Sequence, residues 1–405
     1  MTGEKKAPTP GHASAWEVFR VFLRLGLTSF GGPIAHLGYF RTEIVERRRW
    51  MDDRAYANLV ALCQFLPGPA SSQVGFGIGL HRAGYRGALA AFIAFTLPSA
   101  ALMLTFASGA SLFTGPIGQG ILAGLKTVAV AIVAQAVLGM AKTLTPDRQR
   151  AAIAAVAALA ALLLAGSLGQ ILAIVLGGIA GYFVCRAPAT NTATAVRFPV
   201  ARVAGITALA LFVAILAGMP MLAAVTGNGG VALFDAFARA GALVFGGGHV
   251  VLPLLQSGVV DPGWVSNADF LAGYGAAQAV PGPLFTLASF LGAVSSVGPG
   301  GVAGASIALA GIFLPGFLLL VGVLPFWNRL QHHGWVQAVM RGANAAVVGI
   351  LAAALYTPVF TTAILTPPAF ALALICFVLL VAWKLPPWIV VIVGAAGGIL
   401  VTALT

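Results

Sequence analysis

The stretch Gln64-Phe65-Leu66-Pro67-Gly68-Pro69 decides the fold of this chain, because it places a Pro-Gly-Pro motif in the middle of an apolar segment. The stretch recurs 214 residues later as Gln278-Ala279-Val280-Pro281-Gly282-Pro283. An earlier motif, Phe30-Gly31-Gly32-Pro33, recurs as Phe245-Gly246-Gly247-Gly248 at an offset of 215 residues. Proline breaks a helix because it removes a backbone donor and clashes with the preceding turn. The sequence therefore predicts two homologous halves, each containing broken helices.

Rare residue types around these motifs recur at the same offsets, which apolar low complexity would not produce. Arg24 and Gly26 match Arg239 and Gly241. The further matches are Phe22 with Phe237, Trp50 with Trp264, Tyr56 with Phe270, and Gln119 with Gln337. The predicted organisation is a cytoplasmic tail (1–14), a first repeat (15–185), a basic linker with one unpaired transmembrane helix (186–230), and a second repeat (231–405).

Composition places the chain in a membrane. Hydrophobic residues make up 60% of it and charged residues 8%, against roughly 25% charged residues in an average soluble domain. The net charge of +12 lies in short loops, which indicates a cytoplasmic membrane face rather than a nucleic-acid surface. At about 20 residues per crossing, the predicted spans are 88–113, 118–141, 150–166, 168–185, 203–225, 302–326, 335–356, 366–383 and 387–404.

The loop charges predict that the two repeats have opposite orientations. Basic residues concentrate in segments 41–54, 81–87, 142–150 and the linker that ends at Arg202. Because cytoplasmic loops retain Lys and Arg, these segments should face the cytoplasm. The counterparts 255–268 and 357–365 contain neither Lys nor Arg and should face outward. The unpaired helix then inverts the second repeat, as in many secondary transporters, and places the C-terminus in the periplasm.

Parity predicts that the broken segments are re-entrant. If 41–54 and 81–87 lie on one side, residues 55–80 cross an even number of times. This segment is too short for two crossings at about 1.5 Å per residue, so we expect a re-entrant hairpin or two half-helices. The same holds for 16–40 and for both counterparts. Non-helical backbone at membrane depth requires surrounding protein or water, so these segments mark the candidate substrate site.

Arg24 and Arg239 are the central candidates for binding an anion. Each lies two residues before a glycine and six before Phe-Gly-Gly, and an intramembrane cation is costly unless it serves a function. Arg20 is interpreted as reaching lipid headgroups. Half-helix N-termini after the breaks would add backbone donors. The predicted binding residues are Arg24, Thr28, Ser29, Gly31, Gly32, Gln64, Pro67, Gly68, Pro69, Ser71, Ser72, Lys126, Arg239, Gly246, Gly247, His249, Gln278, Pro281, Gly282, Pro283, Thr286 and Asn344.

These motifs and their second copies resemble the chromate ion transporter family, of the two-domain type, over essentially the whole chain. The resemblance implies efflux of chromate, a tetrahedral dianion, across the bacterial inner membrane. It also implies chromate resistance, a proton-motive driving force and competition by sulfate. The second copy departs from the first, with Gly248 in place of Pro33 and His249 in place of Ile34. The two half-sites are therefore predicted to be chemically different.

The excess of intramembrane cations independently favours an anion over a metal cation as the cargo. Two alternatives stay open, a transporter of sulfate or another anion, and an anion channel. An enzyme is disfavoured, because the sequence contains no nucleophile or metal-ligand cluster, and Cys63, Cys185 and Cys376 lack paired spacing. The sequence thus predicts an oxyanion carrier in the lipid bilayer without a cofactor or metal, and leaves a homodimer open.

Overall fold

A computed structural model of the protein contains helices and no strand in the residues it describes. The described residues are 14–30, 32–109, 115–164, 167–186, 198–245, 248–327 and 333–404. The predicted binding residues Gly31, Gly246 and Gly247 lie outside them, as do most of the N-terminal tail and residues 187–197 of the linker. The predicted all-α class is confirmed.

Both repeats follow the same order of helices. The first repeat contains α1 (Ala15–Thr28), α2 (Gly32–Phe40), α3 (Asp53–Phe65), α4 (Ala70–Ser108), α5 (Pro116–Leu144), α6 (Arg148–Leu163) and α7 (Ser167–Val184). The unpaired helix is α8 (Arg202–Thr226). The second repeat contains α9 (Gly229–Ala242), α10 (Val251–Leu255), α11 (Asn267–Ala279), α12 (Leu287–Val294), α13 (Gly301–Val323), α14 (Gly334–Ala354), α15 (Pro367–Val381) and α16 (Pro387–Leu404).

Each of the nine predicted spans coincides with one of these helices. By length and composition, the segments long and apolar enough to cross a membrane are Ala70–Ser108, Pro116–Leu144, Arg202–Thr226, Gly301–Val323 and Gly334–Ala363. The other four, α6, α7, α15 and α16, contain 15 to 18 residues. The unpaired α8 packs against α9 and α13, and only 6% of its apolar window is buried, as expected for a helix that faces lipid.

The helices begin and end where the sequence dictates. Asp52 caps α3 by accepting a hydrogen bond from the Ala55 N–H at 2.7 Å, and the equivalent Ser266 caps α11. Both helices end at Pro-Gly-Pro, because a residue before proline is pushed out of the helical region. Leu66 and Val280 accordingly have ψ angles of 148° and 136°. The predicted helix breaks are thus present, while their re-entrant course stays a prediction.

A helical hairpin follows each Pro-Gly-Pro break. In the first repeat, α4 turns back on itself at Ala83 and Gly84, and the backbones of Gly79 and Gly87 touch across the turn. In the second repeat, α12 and α13 form the same hairpin. Gly292 touches Gly304 there, and the turn is four residues longer, which accounts for the larger offset between the repeats beyond this point.

The last helices of the two repeats are exchanged. Helix α5 packs on α15 and α16 of the second repeat, whereas α14 packs on α6 and α7 of the first. Glycines permit the close approach of the backbones, because they leave no side chain between the helices. Gly124 lies against Gly394, and Gly342 lies against Gly177 and Gly181. Neither repeat therefore packs its own last helices around its own core.

Candidate functional site

The four helix breaks meet crosswise near the centre of the molecule. The Gly68 N–H donates to the Val244 carbonyl at 2.7 Å, and the Gly282 N–H donates to the Ser29 carbonyl at 2.9 Å. Ser29 and Val244 are equivalent residues of the two repeats, as are Gly68 and Gly282. Each Pro-Gly-Pro break is therefore bound to the Phe-Gly-Gly break of the other repeat, through bonds related by a pseudo-twofold axis.

Two equivalent residues, Pro33 and Gly248, face each other at this axis. A Cβ atom on Gly248 would lie 3.3 Å from Cγ of Pro33, which is tighter than ordinary van der Waals contact. A second proline would bring a whole ring into this space. The departure of the second motif from the first, with glycine in place of proline, thus has a packing explanation.

Glycine is also required at the centre of each Pro-Gly-Pro break. Gly68 has a φ angle of +126° and Gly282 of +98°, a region that side-chain-bearing residues rarely adopt. Gly68 lies against Gly316, and Gly282 lies against Ser99, on the helices that carry the internal prolines Pro315 and Pro98. The predicted involvement of both breaks in one site is consistent with this geometry.

Most of the predicted polar residues after the breaks are buried in this structure. Ser29, Ser71, Ser72 and Thr286 are each 4% exposed or less, and the Thr286 hydroxyl donates to the Pro283 carbonyl at 2.8 Å. The hydroxyl oxygens of Ser29 and Ser72 have no hydrogen-bond partner among the described residues. Because buried polar atoms are normally hydrogen-bonded, these two are free to bind a polar guest at the crossing. Gly32, Pro67, Pro69, Pro281 and Pro283 form its backbone walls.

Two buried histidines flank the crossing in different surroundings. Nδ1 of His36 lies 3.4 Å from the Ser71 hydroxyl, and the His36 ring meets Phe95 edge to face at 5.3 Å. Nδ1 of His249 lies 2.7 Å from the Tyr274 hydroxyl, which also hydrogen bonds to Gln278. Sequence reasoning included His249 and Gln278 but missed Tyr274. The available signal was a tyrosine exactly one helical turn before Gln278.

The two predicted arginines differ in their charge environment. The Arg239 guanidinium lies 2.6 Å from the Asp235 carboxylate, whose side chain is 5% exposed. The residue equivalent to Asp235 in the first repeat is Arg20, so the first repeat has no acid to pair with Arg24 along α1. Among the described residues, Arg24 makes no ion pair or side-chain hydrogen bond. Arg239 is thus neutralised and Arg24 is not.

Arg24 opens into a cavity of about 610 Å³ between α1, α2 and the helical turn after α2. We call it the Arg24 cavity, and its polar lining consists of Arg24, Thr28, Tyr39, Thr42, Glu43 and Arg47. Partial burial raises the pKa of Glu43, but hydrogen bonds and charges from Arg48 and Arg47 outweigh it, and its pKa lies below the usual range. Glu43 is therefore ionised and held by arginines, at 2.6 Å from Arg48.

Three predicted residues are not on the broken segments' crossing. Gln64 lies exposed on α3. Lys126 is half-buried on α5 and Asn344 half-buried on α14, the two helices that are exchanged between the repeats. The Asn344 side-chain oxygen has no partner among the described residues, whereas nearby Arg341 donates to the Cys185 carbonyl at 3.1 Å.

Comparisons with known proteins agree on one family. The family model described as "Chromate transporter" matches residues 16–182 and again 231–399. A chromate transport protein from Pseudomonas aeruginosa is 30% identical over 94% of this chain and 90% of its own length. A probable chromate transport protein from Synechococcus elongatus is 27% identical over 95% of both chains, and a chromate transport protein from Cupriavidus metallidurans is 28% identical over 93% and 90%. No solved structure matches significantly.

Proposed function

Because this chain belongs to the chromate transporter family, we propose that it carries chromate out of the cell across the bacterial inner membrane by alternating access, and so confers chromate resistance. The observation that supports a carrier is the crosswise bonding of four helix breaks, with Gly68 bound to Val244 and Gly282 bound to Ser29. Broken helices at the interface of two repeats are where secondary transporters bind their cargo.

The charges around the breaks favour an oxyanion as the cargo. Arg24 is a cation without an ionic partner among the described residues, and the hydroxyls of Ser29 and Ser72 lie nearby on the breaks themselves. Chromate and sulfate share the charge and the tetrahedral shape that such donors recognise, so sulfate should compete. An interior-negative potential of 100 mV favours exit of a dianion by roughly 4–5 kcal/mol, since each charge contributes about 2.3 kcal/mol. Proton exchange would add to this driving force.

Transport in everted membrane vesicles tests this proposal. Energised everted vesicles, positive inside, should accumulate labelled chromate, excess sulfate should inhibit uptake, and collapse of the membrane potential should abolish accumulation. Vesicles without the protein are the control. Absence of uptake under either polarity of the driving force would refute transport of chromate. Rapid flux that only equilibrates the anion and ignores the driving force would identify a channel instead.

The proposed orientation has its own test. The segment 41–54 carries five arginines, whereas the equivalent segment 255–268 carries no Lys or Arg. We propose that the first faces the cytoplasm with the N-terminus and the second faces the periplasm. Single cysteines at the exposed positions Arg49 and Asp261, in a chain lacking the native cysteines, should be labelled by an impermeant maleimide from opposite sides. Labelling of both from one side would contradict the inversion.

A further inference from the structure

Equivalent residues of the two repeats differ in exposure beside the crossing. Tyr39 is 45% exposed, whereas the equivalent Leu254 is 6% exposed. Thr42 is exposed, whereas the equivalent Ser257 is 8% exposed. Because the sequence relates these positions by the same offset of 215 residues, the difference lies in what covers them. The first-repeat side of the crossing is open and the second-repeat side is closed.

Helix α7 closes the second-repeat side through one residue, Gln170. Its amide nitrogen donates to the Pro253 carbonyl at 3.1 Å, and its oxygen accepts from the Ser257 hydroxyl at 3.4 Å. Helix α10 also packs on α14 there. On the open side, the residue equivalent to Gln170 is Pro387, which has no polar side chain, and within the described residues α2 makes no comparable contact with α5 or α16.

The Arg24 cavity is thus the uncovered counterpart of this closed surface, and it extends inward from the basic loops. Glu17 lies among those loops, 3.7 Å from Arg48 and 3.5 Å from Arg82. Arg24 follows Glu17 by seven residues on α1, which places it about 10 Å further along the helix axis. A guanidinium at that depth is costly unless a watery cavity or an anion accompanies it.

The charges of the two sides differ in the same sense as their exposure. On the closed side Asp235 neutralises Arg239 at 2.6 Å. On the open side Arg24 and Arg47 outnumber the single carboxylate, Glu43, and Glu43 is already bound by Arg47 and Arg48. The hydroxyls of Tyr39 and Thr42 add neutral donors beside Arg24. This combination suits a small ion with two negative charges and acceptor oxygens on every side.

We propose that the Arg24 cavity is the loading site, at which a tetrahedral dianion such as sulfate or chromate first binds from the cytoplasm, with Tyr39 and Thr42 as further binding residues. Gln170 meanwhile holds the opposite side shut. The direction of loading rests on the proposed function, whereas the site itself rests on the cavity and its charges. In the alternate state, α5 and α16 would cover Tyr39 and Thr42.

Thiol labelling of two equivalent positions tests this proposal. The variants Thr42→Cys and Ser257→Cys are built in a chain whose three native cysteines are replaced by alanine and whose chromate uptake has been verified. Everted vesicles are treated with an uncharged, impermeant maleimide bearing a short polyethylene glycol chain. Sulfate is the protecting anion because it does not oxidise thiols, and gluconate at equal ionic strength controls for screening.

We expect Thr42→Cys to react at least about tenfold faster than Ser257→Cys, since the buried position must await local opening. Sulfate, but not gluconate, should slow the reaction at Thr42→Cys, and Arg24→Gln should remove that protection. Equal reactivity at both positions would overturn the open and closed assignment. Unprotected labelling in vesicles that still transport chromate would overturn the loading site, including by showing that a lipid headgroup occupies it. Failure of chromate uptake itself would instead strike the proposed function.

Discussion

Replacing Arg24 with glutamine should raise the KM for chromate uptake in everted vesicles by about 10- to 100-fold. A hydrogen bond to a charged group contributes about 1.5–3 kcal/mol, and every 1.4 kcal/mol corresponds to about a tenfold change in binding. The substitution leaves no buried acid unpaired, because Arg24 makes no ion pair among the described residues. Membrane insertion and protein level should therefore be retained, and immunoblotting of the same vesicles checks this.

Arg20→Gln is the matched control for this variant. Arg20 lies one turn earlier on α1, is exposed and does not line the Arg24 cavity. We expect uptake to change by no more than about twofold, since exposed substitutions usually alter free energies by less than about 0.5 kcal/mol. Equal effects of the two substitutions would show that general positive charge, rather than the position of Arg24, governs uptake. Unchanged KM in Arg24→Gln would remove its binding role.

Replacing Gly124 with alanine should destabilise the protein by about 2 kcal/mol or more, because overpacking a tight contact costs about 1–3 kcal/mol and backbone cannot move aside easily. A Cβ atom on Gly124 would overlap the Gly394 carbonyl oxygen and lie 2.9 Å from Cα of Ala395. Helices α5 and α16 would have to separate at their point of closest approach. The midpoint of thermal denaturation of the detergent-solubilised protein should fall accordingly.

Gly139→Ala on the same helix supplies the opposite expectation. A Cβ atom on Gly139 would meet nothing within 4 Å, so the alanine should stabilise α5 by about 0.5–1 kcal/mol through its better helix propensity. A fall in thermal stability for Gly139→Ala as large as that for Gly124→Ala would indicate that α5 tolerates no substitution. It would also contradict the contact between Gly124 and Gly394 as the cause.

The sequence predicted the helices and their breaks well because local chemistry determines both. Pro67 and Pro281 end their helices through steric restriction of the preceding residue, and this effect needs no tertiary contact. The repeat was visible because residues such as Arg24, Trp50 and Gln64 have counterparts at nearly constant offsets. Their spacing also indicated that Asp235 and Arg239 share a helix face, and the structure adds that Asp235 neutralises Arg239.

The remaining features depend on contacts between distant segments. Gly124 has similar spacing to glycines on several helices, so the sequence did not indicate that α5 packs on α16 of the other repeat. Thr42 and Ser257 are both small hydroxyl residues, and only the position of Gln170 on α7 makes one exposed and the other buried. Tyr274 was overlooked because an apolar helix surrounds it, and its hydroxyl became relevant only beside His249.

The exchange of α5 and α14 constrains how this protein can move. The bonds of Gly68 to Val244 and of Gly282 to Ser29 join both repeats into a carriage built from the broken helices. The contacts of α5 with α16 and of α14 with α7 join both repeats a second time, into a surrounding frame. A rocking of one repeat against the other would break both sets of contacts at once. Displacement of the carriage within the frame would break neither.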